Sequence, residues 1–224
     1  MRAPGYTLVP CGIETVDALC EAHHGYGGAG RVAVYAFAVV EAGRPVAAYA
    51  WQPPPPGAAL SVCPEEPSAV LALSRMVAVP RSERRLNHVS KPLRRQMRSL
   101  IDRSRWPVLV TYSDEGQGHT GHVYRCSGWH PTMRDVRQTY TDENGRRASS
   151  YSGGQNRYSD LTRGEPTALQ RWEHWACERG CVAETMAAGG WVRVAIPGKR
   201  WRSGNQAFRW ERRDPDQLSL LVSP

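Results

Sequence analysis

The chain has 224 residues, 41% hydrophobic and 22% charged, which is ordinary globular composition and enough length to bury a core. Its net charge of +8 and pI near 9.5 favour a polyanionic partner, a nucleic acid or an anionic cofactor, over a merely arginine-rich surface. No apolar run reaches the roughly 18 residues of a membrane span and the N-terminus lacks a signal-peptide core, so a cytoplasmic protein without a membrane partner is expected. The cysteines are scattered through a chain too large to need staples and are expected as reduced thiols. His174, Cys177 and Cys181 have helical spacing, but no second Cys/His pair completes a four-ligand set, so no metal site is assigned.

Tyr6–Pro10 is predicted as a strand and Ile13–Glu21 as a helix burying Val16, Leu19 and Cys20. Residues 22–31, Ala-His-His-Gly-Tyr-Gly-Gly-Ala-Gly-Arg, set two histidines and a tyrosine among glycines. Glycine lets backbone approach a ligand and histidine exchanges its proton near neutral pH, so the segment reads as a site loop or a solvated connector. Val32–Val40 and Val46–Trp51 form a predicted hairpin closed by Glu-Ala-Gly-Arg-Pro, and Pro53–Pro56 reads as a stiff extended spacer. Val70–Val79 is the expected central strand. Arg75 inside it needs a carboxylate or a substrate acceptor to offset its desolvation.

In the basic segment Arg81–Arg105, Val89, Leu93, Met97, Leu100 and Ile101 share one helical face, with Ser90 as N-cap and Pro92 in the first turn. Arg81, Arg84, Arg85 and Lys91 crowd the helix start, where free N–H groups and the dipole favour a phosphate. Arg94 belongs to a row of outward arginines that either solvate the helix or meet DNA phosphates.

Val108–Pro131 begins as an apolar strand and turns polar at Tyr112, Ser113 and Asp114. A loop with Gly116, Gly118 and Gly121 follows, then a short helix carrying Tyr124, Gly128-Trp129 and a second strand. Arg134–Thr141 is read as a strand and Asp142–Gly145 as its turn. Within a basic and aromatic insertion at about 142–166, Arg157 and Tyr158 suit phosphate contact and base stacking, against a reading as plain disorder. Thr167–Glu178 is predicted as a helix with Leu169, Trp172 and Trp175 on its buried side. Trp191–Ile196 is the last predicted strand, followed by the cluster of Lys199, Arg200 and Arg202. Residues 1–213 are expected as one domain and 214–224 as a tail.

This order of elements implies an α+β fold with one central mixed sheet flanked by helices. It resembles the GNAT acyl-CoA-dependent N-acetyltransferases, although Arg81-Ser-Glu-Arg-Arg-Leu-Asn-His lacks the glycines of their Arg/Gln-x-x-Gly-x-Gly/Ala loop. Leu73-Ser-Arg-Met-Val, Asn87-His-Val-Ser90, and Val110 through Tyr124 to Gly128-Trp129 resemble the GNAT-related Mom family of DNA-modification proteins from phages and mobile elements. The resemblance spans about residues 20–140.

It implies conversion of adenine in duplex DNA to an N6-carbamoylmethyl (acetamido) derivative that protects against restriction. It places Asp114, Tyr124, His24 and Tyr26 in catalysis and assigns Arg75, Val77, Arg84, Arg85, Asn87 and Ser90 to an acetyl-CoA-type cofactor. Double-stranded DNA would meet Arg94, Arg157, Tyr158, Lys199, Arg200 and Arg202, with a dimer as the candidate oligomeric state. The exocyclic amine of adenine is a poor nucleophile, so Asp114 or a neutral histidine would take its proton, and Tyr124 would protonate a leaving thiolate. Asp114 read alone is equally a helix cap or the partner of Arg75, and Tyr124 a core residue. Two other readings stay open, a GNAT enzyme acting on a protein or small-molecule amine, and a non-catalytic nucleic-acid-binding protein on that scaffold.

Overall fold

The protein is seen in a computed structural model that describes residues 5–24, 33–86, 89–101, 105–141, 145, 161–200 and 206–212, without the side chains of 199, 200, 206 and 207. In chain order the first elements are β1 (Thr7–Pro10), α1 (Ile13–His23), β2 (Tyr35–Glu41), β3 (Arg44–Gln52), α2 (Pro56–Val62), β4 (Val70–Ala78) and α3 (Ser90–Ile101). Then come β5 (Val108–Asp114), α4 (His122–Ser127), β6 (His130–Arg137), β7 (Tyr140–Thr141), β8 (Thr162–Arg163), β9 (Thr167–Trp175), α5 (Val182–Ala188), β10 (Trp191–Arg200) and β11 (Gln206–Arg212).

The β2–β3 hairpin turns on Ala42 and Gly43, both at positive φ (48° and 81°). That two-residue geometry matches the right-handed twist of its strands. The pairs β1–β2, β2–β3 and β3–β4 are antiparallel. From β4 the chain crosses through α3 to the neighbouring strand β5, completing a seven-stranded mixed sheet in the order β1-β2-β3-β4-β5-β9-β6. The expected α+β architecture with one central mixed sheet is therefore what forms. Helix α1 buries Val16 and Cys20 against Ala48, Ala50 and Val77. Leu93, Met97 and Leu100 of α3 are buried, as their spacing requires, while Lys91, Arg94, Arg95 and Arg98 are exposed.

The largest departure is Thr167–Glu178, which is a strand through Trp175 and not a helix. β9 lies between β5 and β6 and pairs antiparallel with β6, Met133 facing Arg171 and His130 facing Glu173. Thr167 and Arg171–Glu173 are buried and its other residues half-buried, so burial does not alternate along it as it does in a strand with one solvent face. The helical spacing of His174, Cys177 and Cys181 disappears with the helix. His174 sits in β9 with its Nδ1 hydrogen-bonded to the Gly128 carbonyl at 2.8 Å. Among the described residues no group of three His, Cys, Asp or Glu can hold a metal, and no helix is long and apolar enough to cross a membrane.

Smaller corrections concern 53–62, where the proline run leads into α2 with Pro56 in its first turn, and β6, which starts earlier than expected. Three elements, β8, α5 and β11, were not expected from the sequence.

The chain packs as two units. The first comprises Met1–Gln52, Leu71–Gln96 and Val110–His174 and holds most of the sheet. The second comprises Pro53–Val70, Met97–Leu109 and Trp175–Pro224. In the second unit β10 and β11 form a ribbon in which Arg193 lies 4.1 Å from the Phe208 ring centroid.

Candidate functional site

The polar end of β5 is built on a tight turn. Asp114 is buried at 3% exposure and caps the short 3-10 turn Glu115–Gln117. Its Oδ1 accepts from the Gly116 N–H at 2.9 Å and from the Thr167 hydroxyl at 2.7 Å, while the same N–H reaches Thr167 Oγ1 at 2.8 Å. The Asp114 carbonyl then accepts from the His119 N–H at 3.2 Å. Capping is thus a role Asp114 has in this fold, and it shapes the loop that carries His119.

His119 returns to the end of α1. Its ring centroid is 6.4 Å from that of His24, which follows the helix as its C-cap. Burial, then the Arg75 guanidinium and His119, hold the His24 imidazole down to about 4. His24 is therefore neutral at physiological pH. This gathers His24, Arg75 and His119, of which the sequence reading had singled out only the first two. His119 lies within the Val110–Tyr124 stretch, in which the sequence analysis assigned it no role. Tyr26 lies outside the described residues.

Tyr124 belongs to the other side of the sheet. Along β5, Thr111 and Ser113 present one face and Tyr112 and Asp114 the opposite one. Tyr124 bonds to Thr111 and is buried between Trp129 (6.1 Å, edge-on) and Trp172 (5.9 Å, tilted), and burial pushes its phenol up. Asp114 by contrast meets Thr167 on β9, and Tyr112 meets Arg171, which pairs with the fully buried Glu173 at 2.9 Å. The two residues placed together in catalysis by the family resemblance thus engage partners on opposite faces of β5.

The Tyr124 side opens into a pocket of about 450 Å³ lined by Ser113, His119, Thr120, Arg125, Gln170 and Trp172, among others. The Trp172 indole N–H donates to Ser113 Oγ at 2.9 Å, and the Arg125 guanidinium lies 5.7 Å from the Trp172 ring centroid. Gly121 has φ +69° and a Cβ there would stand 2.0 Å from Trp172 Cζ2, so only glycine fits beneath that ring. At the rim Glu115 and Arg134 form a two-toothed ion pair at 2.8 and 2.7 Å, which holds the Glu115 carboxyl below the usual carboxylate range.

The residues assigned to a cofactor diphosphate do not form a vacant cradle where they are described. Glu41, buried at the end of β2, accepts from the Arg85 N–H at 2.8 Å through Oε2 and from the Leu86 N–H at 2.6 Å through Oε1. The Arg84 guanidinium is turned inward to the Val79 carbonyl (3.1 Å) and the Leu86 carbonyl. Ser90 is buried, and its carbonyl accepts from the Ser127 hydroxyl at 3.2 Å. Val77 is buried against α1. Asn87 lies outside the described residues. A carboxylate of the chain itself thus sits on amides that a diphosphate would need, and these residues do not fit an acyl-CoA diphosphate as they stand.

Of the residues assigned to DNA, Arg94 is exposed on α3 and Lys199 and Arg200 end β10. Arg157, Tyr158 and Arg202 lie outside the described residues.

A model of the Mom protein family matches residues 10–175, most of the chain including every residue of both site faces. None of the curated proteins matches. Among solved structures, an N-acetyltransferase from Staphylococcus aureus Mu50 has a TM-score of 0.49 at 11% identity, covering 78% of this chain and 100% of that one. A putative acetyltransferase from Salmonella typhimurium with its cofactor acetyl-CoA has a TM-score of 0.48 at 10% identity, covering 79% and 97%. The ribosomal-protein-S18-alanine N-acetyltransferase from Escherichia coli has a TM-score of 0.45 at 10% identity, covering 78% and 96%.

Proposed function

We propose, from the premise that this chain belongs to the Mom protein family, that it is a transferase modifying the N6 amine of adenine in duplex DNA. The added group is the carbamoylmethyl (acetamido) unit, and the product is DNA shielded from restriction. The observation that carries the reading is the family match over residues 10–175, a range that contains His24, Arg75, Asp114 and His119.

Adenine's amine lone pair is delocalised into the ring, so bond formation at N6 requires a partner that accepts an N6 proton as the nucleophile attacks. His24, a residue the family resemblance places in catalysis, is assigned that role as a weak base, since burial, Arg75 and His119 all oppose its protonation. Arg75 contributes fixed positive charge where negative charge develops, which stabilises a transition state most when the site excludes water. Asp114 acts by holding the turn that delivers His119. Because the described residues before α3 do not fit a diphosphate, the donor is taken only as a carbamoylmethyl group joined to a leaving group, which departs with its bonding electrons as the N6–C bond forms. The target base must leave the duplex stack to reach these groups, at about a few kcal/mol. The net charge of +8 and the exposed Lys91, Arg94, Arg95 and Arg98 supply phosphate attraction to offset it.

A second reading, a nucleic-acid-binding protein without turnover, draws on the Glu41 carboxylate seated on the Arg85 and Leu86 amides. Mass spectrometry of nuclease-digested DNA from cells expressing the protein separates the two. An adenosine derivative of raised mass is expected, absent with His24→Ala. DNA containing only standard nucleosides would remove the first reading.

A further inference from the structure

The β2–β3 hairpin is fastened to the loop that leads from β4 into α3. At its tip the Glu41 carboxylate, 6% exposed, accepts from two successive amides, Arg85 at 2.8 Å through Oε2 and Leu86 at 2.6 Å through Oε1. Across the turn the Arg44 guanidinium donates to the Glu83 carbonyl. Within the loop Arg84 folds back onto the Val79 and Leu86 carbonyls. From β3 the Tyr49 hydroxyl donates to the Val89 carbonyl at 2.8 Å. The hairpin thus supplies the loop with an anion, a cation and a hydroxyl.

Successive backbone N–H groups ahead of a helix suit a phosphate oxygen, and an ionised carboxylate satisfies them in the same way, as an acceptor-only anion. A carboxylate tethered to the chain has already lost the translational freedom that a free ligand gives up on binding. An incoming diphosphate would have to break two charge-assisted hydrogen bonds and then lie beside the negative charge it displaced. The competition therefore runs strongly in favour of the side chain.

We propose that Glu41 is a built-in anion that occupies the loop before α3 and keeps diphosphate-bearing cofactors out of it. The donor of the transferred group is then not an acyl-CoA anchored by its diphosphate at this loop. The two amides remain an anion seat, which takes an external anion once the carboxylate is removed. The inference uses only the hydrogen bonds of the hairpin and the loop, and it holds whichever amine the chain modifies.

Urea denaturation of the whole chain in inorganic pyrophosphate, against chloride of equal ionic strength, tests this on the parent and on Glu41→Ala. At ten times its Kd, pyrophosphate should raise the midpoint of the variant by roughly 0.5–1 M and that of the parent by much less. The parent's own response accounts for pyrophosphate held at other cationic patches, which the substitution leaves alone. Glu41→Gln keeps one acceptor oxygen and covers the case in which the alanine variant does not fold. Its response should lie between those of the parent and Glu41→Ala. Free CoA should leave the parent's midpoint where chloride leaves it. The proposal is overturned if the variants gain no more from pyrophosphate than the parent does, or if CoA stabilises the parent by as much as it stabilises Glu41→Ala. No DNA enters these measurements, so their failure leaves the adenine reading intact. Equally, a DNA digest holding only standard nucleosides leaves the Glu41 seat intact.

Discussion

At the scale of single residues, two side chains have their chemistry set by where the chain buries them. His24 has its imidazole held to about 4 by burial, Arg75 and His119, against roughly 6.5 in an unfolded chain. Between those two values the unfolded state takes up a proton that the folded state refuses. Stability contributed by His24 is therefore present above about pH 6.5 and is lost as pH falls toward 4. An NMR titration should place the His24 midpoint near 4. Arg75→Gln should move that midpoint upward, and an unmoved midpoint would mean that burial and His119 set it without Arg75. Glu41 is the second case. Glu41→Ala strands the Arg85 and Leu86 amides, at about 1–3 kcal/mol for each N–H left without a partner. Glu41→Gln keeps one acceptor oxygen and should lose about half as much. Urea midpoints of the two variants against the parent chain give the comparison directly.

At the scale of elements, the turn from β5 into α4 depends on glycines that differ in surroundings rather than in backbone. Gly118 and Gly121 both lie in the left-handed region, at φ +71° and +69°. A Cβ on Gly118 meets nothing within 4 Å, whereas one on Gly121 would be driven into Trp172. Gly118→Ala should therefore cost only the left-handed penalty, about 1–2 kcal/mol. Gly121→Ala adds displacement of a buried indole and should cost about 2–5 kcal/mol, with a shifted tryptophan emission. Equal losses in the two variants would show that the Trp172 contact relaxes freely. Local signals made this region readable in the sequence, as they did the β2–β3 turn at Ala42-Gly43 and the buried stripe Leu93, Met97, Leu100 of α3. β9 was unreadable for a physical reason. Its Ala168-Leu-Gln-Arg-Trp-Glu-His is rich in good helix formers, and its burial does not alternate, so the sequence carries no period of two to argue otherwise. The site suffered with it. Thr167, which fixes Asp114 from 53 residues away, and Gln170 and Trp172 in the pocket all come from β9. Glu41 was missed because nothing local announces a carboxylate that seats on amides 44 and 45 residues later.

At the scale of the whole molecule, the charge excess must be placed before it explains anything. The chain carries 29 Lys and Arg against 21 Asp and Glu. Some cations are committed internally, as Arg171 is to Glu173 and Arg134 to Glu115. Those pairs contribute little to attraction at a distance, since each is neutral as a unit. The exposed row Lys91, Arg94, Arg95 and Arg98 lies along one helix that carries no acidic residue. Successive turns of a helix are about 5.4 Å apart, so such a row can follow a phosphate backbone over a short span. Each phosphate neutralised releases condensed counterions, giving a slope of about −0.9 per contact in log K against log salt on duplex DNA. Replacing Arg94 and Arg98 with alanine should thus make that slope shallower by about 1 to 2, and weaken binding similarly on unrelated sequences. Titrations of a labelled duplex between low and moderate salt measure both quantities. A slope unchanged by the double substitution would move the DNA surface off α3 and onto another part of the chain, such as the basic β10–β11 ribbon.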